Sequence, residues 1–120
     1  RLAGRVDGAD KDAFLRGCAF MVVPSRYETF CLSALEAMAY GKPVVHFDLP
    51  RLSWIGPDAA LAVRSFEVDE LRAAIRRLAS DEALRAALGQ AGRERSAAFG
   101  WDAVGERYRR LVGALAGPEQ

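Results

Sequence analysis

Two acidic residues, Glu28 and Glu36, stand out as groups that could bind a hydroxylated ligand. An ionised carboxylate accepts two O–H bonds at once, and a hydrogen bond to a charged group is worth roughly 1.5–3 kcal/mol. Between them the chain reads Thr29-Phe30-Cys31-Leu32-Ser33-Ala34-Leu35, a helix-forming run. A helix N-terminus offers unpaired N–H groups and a positive dipole end, the groups a diphosphate needs. Glu28 precedes the expected helix and Glu36 lies inside it. At a rise of ~1.5 Å per residue, their backbones fall on the order of 10 Å apart. That offset suits two carboxylates gripping opposite ends of one extended ligand, with phosphates between: a nucleoside-diphosphate sugar. A hydrolytic carboxylate pair is the competing chemistry. Such pairs flank a single bond at ~5–5.5 or ~6.5–9.5 Å and usually come from separate elements, and nothing else in the chain suggests hydrolysis. A glutamate on an exposed helix face is, taken singly, usually only solvated.

The elements that must position these groups run from Val22 to Phe47. An apolar run, Cys18 to Val23, is halted by Pro24 and reads as a buried parallel strand. A helix beginning near Phe30 follows. Thr29 is its expected N-cap, with Ser25 and Glu28 as alternatives, so the N–H groups of Phe30, Cys31 and Leu32 are the ones offered to a ligand. At 100° per residue, Cys31, Leu32, Leu35, Met38 and Ala39 share one side, whereas Ser33, Glu36 and Tyr40 share another. Gly41 supplies a left-handed C′ residue and Pro43 stops the helix. Pro43 to Phe47 is the next strand, reached by a right-handed connection. Ligands of such sheets bind beyond the carboxyl ends of the strands, where the loop from Pro24 to Thr29 lies.

The flanking chain fits an α/β domain. Leu2 to Val6 is a weak strand candidate and Asp10 to Gly17 a short helix. Residues 48–57 are expected to be irregular, with Trp54-Ile55 as a buried anchor, and Ala59 to Val63 to be a short edge strand. Three helices close the sequence. Val68, Leu71, Ile75 and Leu78 mark the first. The second begins at Ser80-Asp81-Glu82, with Leu84, Leu88 and Ala91 on its apolar stripe. The third carries Trp101, Val104, Tyr108, Leu111, Val112 and Leu115. The expected class is a partial Rossmann-like, doubly wound parallel sheet with helices on both faces. Its core spans residues 2–63 and a helical tail spans 66–116, and Pro118-Glu119-Gln120 should fray.

Composition narrows the functions. Lys and Arg number 17 against 16 Asp and Glu, a net charge of +1, which argues against a nucleic-acid binder. The arginines after Arg64 alternate with acids, as on solvated helix faces. Cys18 and Cys31 lie in apolar runs and read as free thiols of a reducing compartment, without metal-site spacing. No apolar stretch approaches the ~20 residues of a membrane span. The chain opens Arg1-Leu2-Ala3 without an initiator Met or a signal peptide, as the middle of a longer protein would.

The pattern Pro24-Ser25-x-x-Glu28-x-Phe30, then Leu35-Glu36-Ala37-Met38-Ala39 and Gly41-x-Pro43-Val44-Val45, resembles the donor-binding signature of retaining glycosyltransferases of the GT-B fold, the group-one or family-four class. Its Glu-x7-Glu spacing is matched by Glu28 and Glu36, and the likeness covers about residues 5–115. The resemblance implies that residues 1–120 are the later part of a donor-binding domain whose N-terminal acceptor domain is absent. It implies that Glu28 contacts the transferred sugar and is the catalytic residue of this segment, and that Glu36 hydrogen-bonds the ribose. Backbone near Phe30, Cys31 and Leu32 would face the sugar and diphosphate, with Tyr27 lining the pocket. It implies no metal or other cofactor, a nucleotide-sugar donor, and an acceptor glycan, lipid or small molecule held by the other domain. Nucleic acid is not an expected partner. The location implied is cytoplasmic, any attachment to the inner membrane residing in the missing part.

Three departures accompany the likeness. Cys31 stands where Gly is common. Asp48-Leu49-Pro50-Arg51-Leu52-Ser53 replaces a Gly-Gly-x-x-Glu run. The family's diphosphate-neutralising basic pair has no counterpart, since Lys11 and Arg16 lie in the wrong segment and Arg26 reads as an exposed loop residue. His46 reads as a packed strand-end residue, Ser25 as a turn former, and Trp54 and Trp101 as packing residues, Trp101 matching a Trp that opens the family's last helix. The alternative to an enzyme segment is a non-catalytic sugar-nucleotide-binding or interaction module that kept the fold.

Overall fold

The computed structural model describes residues 3–116. In chain order the elements are α1 (Gly8–Gly17), β1 (Met21–Val23), α2 (Leu32–Ala39), β2 (Val44–Phe47), a 3₁₀ turn (Pro50–Ile55), β3 (Ala60–Val63), α3 (Val68–Ser80), α4 (Glu82–Ser96), a second 3₁₀ turn (Ala97–Phe99) and α5 (Trp101–Ala116). The strands form a parallel sheet in the order β1-β2-β3, with Met21 opposite Val44 and Val44 opposite Ala60. All four residues of β2 are buried, as a strand covered on both faces requires. Val44 packs with Ala34, Ala37 and Met38 of α2 and Leu52 and Ile55 of the 3₁₀ turn. Val45 and Phe47 point the other way, into Leu71, Ala74 and Leu78 of α3. The α/β class with helices on both faces is therefore present.

Several boundaries differ from the sequence expectation. β1 is three residues long because the chain after α1 is still closing that helix. Cys18 N–H donates to Phe14 O (2.9 Å), and Met21 N–H, bonded to Pro43 O (2.9 Å), starts the sheet pairing. Residues 3–6 form no strand, and Gly4, at φ +71°, breaks any extended run there; Leu2 and Pro118-Glu119-Gln120 lie outside the described residues. Pro50 opens a 3₁₀ turn where an irregular stretch was expected, its fixed φ being suited to a helical first position.

The larger correction concerns α2. It begins at Leu32, not Phe30, and its N-cap is Cys31, not Thr29, Ser25 or Glu28. Its core side is Cys31, Ala34, Ala37 and Met38, whereas Leu32 is 67% exposed and Ala39 is also exposed. Small side chains face inward because the sheet and α4 both come close. A Cβ on Gly92 of α4 would lie 3.3 Å from Met38 Cγ, and one on Gly89 would lie 2.2 Å from the Gly41 carbonyl oxygen. The C-terminus of α2 closes as expected, with Gly41 at φ +68°. Gly41 N–H bonds Met38 O (2.8 Å) and Lys42 N–H bonds Ala37 O (2.9 Å), the paired bonds of a Schellman stop.

At the far end, α4 starts as expected, with Asp81 Oδ1 accepting from Leu84 N–H (2.8 Å). Val68 is exposed, since it occupies the first turn of α3 beyond the sheet edge. Trp101 is 90% exposed and so is not a packing residue among the described residues. Tyr108, Leu111, Val112 and Leu115 also face outward, because α5 leaves the sheet through the Ala97–Phe99 turn rather than folding back on it.

The Gly89–Gly41 approach gives a direct test. Gly89→Ala should destabilise the fold by about 1–3 kcal/mol in urea denaturation, because a backbone carbonyl must move. Gly105→Ala, at a helical position with nothing near a new Cβ, should instead gain up to about 1 kcal/mol.

Candidate functional site

The loop leaving the carboxyl end of β1 carries Glu28, and α2 starts where that loop ends. The turn between them is made by Cys31 at φ +67°, ψ +69°. Left-handed backbone costs an L-residue with a Cβ roughly 1–2 kcal/mol, which gives a conformational reason for glycine at this position in addition to close ligand approach. Cys31 O takes the first helical bonds, from Ala34 N–H (3.1 Å) and Leu35 N–H (3.3 Å). Helix geometry then leaves the N–H groups of Leu32 and Ser33 directed out of the end. Phe30 lies before the turn, so its N–H is not one of these first-turn donors. The Cys31 side chain makes no capping hydrogen bond to the helix; its Sγ sits 3.4 Å from Ser33 Oγ.

Two aromatic anchors hold the Glu28 loop. Phe30 stacks on Trp54 with ring centroids 4.6 Å apart and planes 9° from parallel, and Trp54 Nε1–H donates to Phe30 O (2.9 Å). Phe99 closes edge-on against both rings, and Arg95 of α4 donates to Trp54 O (3.4 Å). Earlier in the loop, the Arg26 guanidinium lies 4.6 Å from the centre of the Phe66 ring, so Arg26 is not simply a solvated side chain. Phe66, after β3, also has left-handed backbone, at φ +71°. Between the anchors Glu28 is half-buried, and Tyr27 is 74% exposed. Trp54 packs as its sequence context predicts, but its bond to the Phe30 carbonyl has no sequence signal.

On the other side of α2 a polar seam joins it to α1. Lys11 Nζ donates to Glu36 Oε1 at 2.7 Å. That hydrogen bond and then the carboxylate's charge raise the Lys11 ammonium above its ordinary value. Next to it, Tyr40 Oη donates to Asp12 Oδ1, Arg16 Nε donates to Asp12 Oδ2 (2.7 Å), and Lys42 Nζ donates to Arg16 O (2.8 Å). The Arg16 hydrogen bond, then that from Tyr40, holds Asp12 below the usual carboxylate range. The bond to Asp12 raises Tyr40. Sequence spacing gave Lys11 no part in the site; the fold brings it to Glu36.

His46 is buried as expected, its Nδ1 2.7 Å from Phe47 O. It lines a cavity of about 310 Å³ with Asp48 and Ser53, under the 3₁₀ turn. Cys18 and Cys31 are free thiols. Among the described residues no group of three His, Cys, Asp or Glu side chains could hold a metal ion, and no helix is long and apolar enough to cross a membrane.

The fold is an α/β domain, with the Glu28 loop and the start of α2 at the carboxyl edge of a parallel sheet. Residues 1–95 match the family model for glycosyl transferases group 1, and the chain belongs to that family. The matched segment stops before α5. An uncharacterized glycosyltransferase of Methanocaldococcus jannaschii is 37% identical over 103 residues, 84% of this chain and 29% of that protein. The MMP alpha-(1->4)-mannosyltransferase of Mycolicibacterium hassiacum is 39% identical over 114 residues, 87% of this chain and 27% of that protein. Sucrose-phosphate synthase from Thermosynechococcus elongatus superposes with a TM-score of 0.75 at 35% identity, over 91% of this chain and 30% of that one. The likeness to GT-B glycosyltransferases read from the motifs is thus borne out, and the chain spans under a third of the length of these relatives.

Two measurements probe the supports of the site. Trp54→Phe keeps the stack but removes the donor to Phe30 O, and should cost about 0.5–1.5 kcal/mol in denaturant titration. The Asp12–Tyr40 bond adds a pH dependence. Asp12 is depressed in the fold, so its contribution is complete above the ordinary carboxylate range, near ~pH 4, and lost as pH falls through the lowered value. Tyr40 is raised, so its contribution holds below ~pH 10 and is lost as pH climbs through the raised value. Asp12→Asn should flatten both limbs of a plot of melting temperature against pH.

Proposed function

We propose that this chain forms the donor-binding part of an enzyme that moves a sugar, with retention, from a nucleoside-diphosphate sugar to an acceptor. The observation that carries the reading is the arrangement at the start of α2. Glu28, in an anchored loop, and Glu36, within the helix, lie on either side of first-turn N–H groups at the carboxyl end of β1. In this reading Glu28 takes hydroxyls of the transferred sugar and Glu36 takes a ribose hydroxyl. The diphosphate lies against the Leu32 and Ser33 N–H groups, where the helix dipole favours negative charge. Cys31 contributes the turn that opens the helix end, and the Phe30–Trp54 stack supports the wall on which Tyr27 sits. Retention is supported by the family signature at Glu28 and Glu36. The acceptor and the remaining phosphate contacts are supplied from outside this chain. Two free thiols accord with a cytoplasmic setting.

The test is calorimetry and turnover on the intact protein that contains this chain, after a screen of nucleotide-sugars has found its donor. Glu36→Ala should weaken nucleotide and nucleotide-sugar alike by about 1.5–3 kcal/mol, the worth of one hydrogen bond to a charged group. Glu28→Gln should lower turnover while leaving affinity for the bare nucleotide nearly intact. Unchanged nucleotide affinity in Glu36→Ala rules out the ribose assignment.

A further inference from the structure

We propose that Lys11 is a positioning residue for the nucleotide: it holds Oε1 of Glu36 and leaves Oε2 to accept the ribose hydroxyl. The inference rests on the assignment of Glu36 to the ribose. Lys11 lies in α1, 25 residues before Glu36, and their side chains meet at 2.7 Å. They are 42% and 41% exposed, so the pair is packed on one side and open on the other. An exposed ion pair contributes little to fold stability. What it changes is the freedom of a long side chain: an unpaired glutamate must give up rotamer entropy when it binds, and one already held gives up less.

The rest of the seam makes Lys11 a fixed strut. Tyr40 to Asp12 and Lys42 to the Arg16 carbonyl tie α1 to the C-terminal end of α2. Those contacts follow Lys11 directly in the same helix, on residues 12 and 16. They restrict how far the Lys11 end of α1 shifts against α2. With Oε1 held by Lys11, the Glu36 carboxylate plane is fixed and Oε2 accepts from a hydroxyl in a set direction. The ammonium has two further N–H donors beside that oxygen. A vicinal diol, whose oxygens both donate and accept, matches such a surface; a deoxy sugar does not.

Isothermal titration of the intact protein with uridine, guanosine and adenosine diphosphates, each against its 2′,3′-dideoxy counterpart, tests this. The wild-type protein should favour the ribose form. Lys11→Met should weaken that form by about 3–10-fold, as expected for the loss of one pre-ordered side chain, and leave the dideoxy form unchanged. Lys11→Arg should restore most of the loss. Adding Lys11→Met to Glu36→Gln should weaken binding no further. A silent Lys11→Met, or equal weakening of ribose and dideoxy forms, overturns the inference, the second outcome marking a general structural or phosphate effect. If Lys11→Met does not fold, Lys11→Gln carries the same comparison. Should Glu36→Gln itself leave the ribose preference unchanged, the ribose assignment fails and the inference with it; a loss in Glu36→Gln beside a silent Lys11→Met sinks the inference alone.

Discussion

The left-handed backbone of Cys31 sets the direction in which the chain turns from the β1 loop into α2. That one conformation decides which N–H groups emerge from the helix end and which face of α2 meets the sheet. It also places Glu28 outside the helix and Glu36 one turn into it and beyond. An L-residue adopts left-handed backbone only when its surroundings hold it there. The hold comes from both sides: the Cys31 side chain is buried in the cluster that includes Val44 and Met38, and Phe30, just ahead of it, is clamped by Trp54. A Cys here gives up the backbone freedom of a Gly and gains a buried contact.

From this turn outward, the structure supports the site at three places. The 3₁₀ turn supplies Trp54 to Phe30, the β3–α3 loop supplies Phe66 to Arg26, and α1 supplies Lys11 to Glu36. Two of these supports are aromatic and one is ionic, and each comes from a different segment. Asp48 and Leu49 lead into that 3₁₀ turn, and Pro50 to Ser53 form its first part, so this stretch carries Trp54 to its place. α4 works from below, where Gly89 and Gly92 let it press on the end of α2 and Arg95 reaches the Trp54 carbonyl.

Much of this was legible in the residues. Pro24, Gly41 and Pro43 punctuate the Val22–Phe47 unit, and in the structure β1 ends just before Pro24, α2 ends before Gly41 and β2 begins just after Pro43. Pro43 to Phe47 reads as the next strand, and Val44–Phe47 is one, buried throughout; the run Cys18 to Val23, read as buried, yields only Met21–Val23, in which Val23 alone is fully buried. The Asp81 cap and the glycine stop are local chemistry, readable within four residues. The start of α2 was not readable. Thr29 has the right chemistry for a cap, but the residue that caps does so through its backbone angle, which a cysteine does not advertise. The inward face of α2 was misjudged for a related reason. Hydrophobic periodicity favours Leu32 and Leu35, whereas close approach to the sheet and α4 favours Ala34 and Ala37. Trp101 shows the limit from the other side: an aromatic residue at the head of an amphipathic helix reads as packing, and here it meets solvent.

What the sequence by itself determined is the order of the main strands and helices, the family, and the two glutamates with a helix start between them, because these depend on residue types within a few positions of each other. What only the tertiary structure decided is how those glutamates are held. Lys11 reaches Glu36 across 25 residues and Trp54 reaches Phe30 across 24, and neither spacing follows any local rule. Side chains so far apart in the chain meet only once the parallel sheet has stacked β1, β2 and β3 and drawn α1 and the 3₁₀ turn against α2.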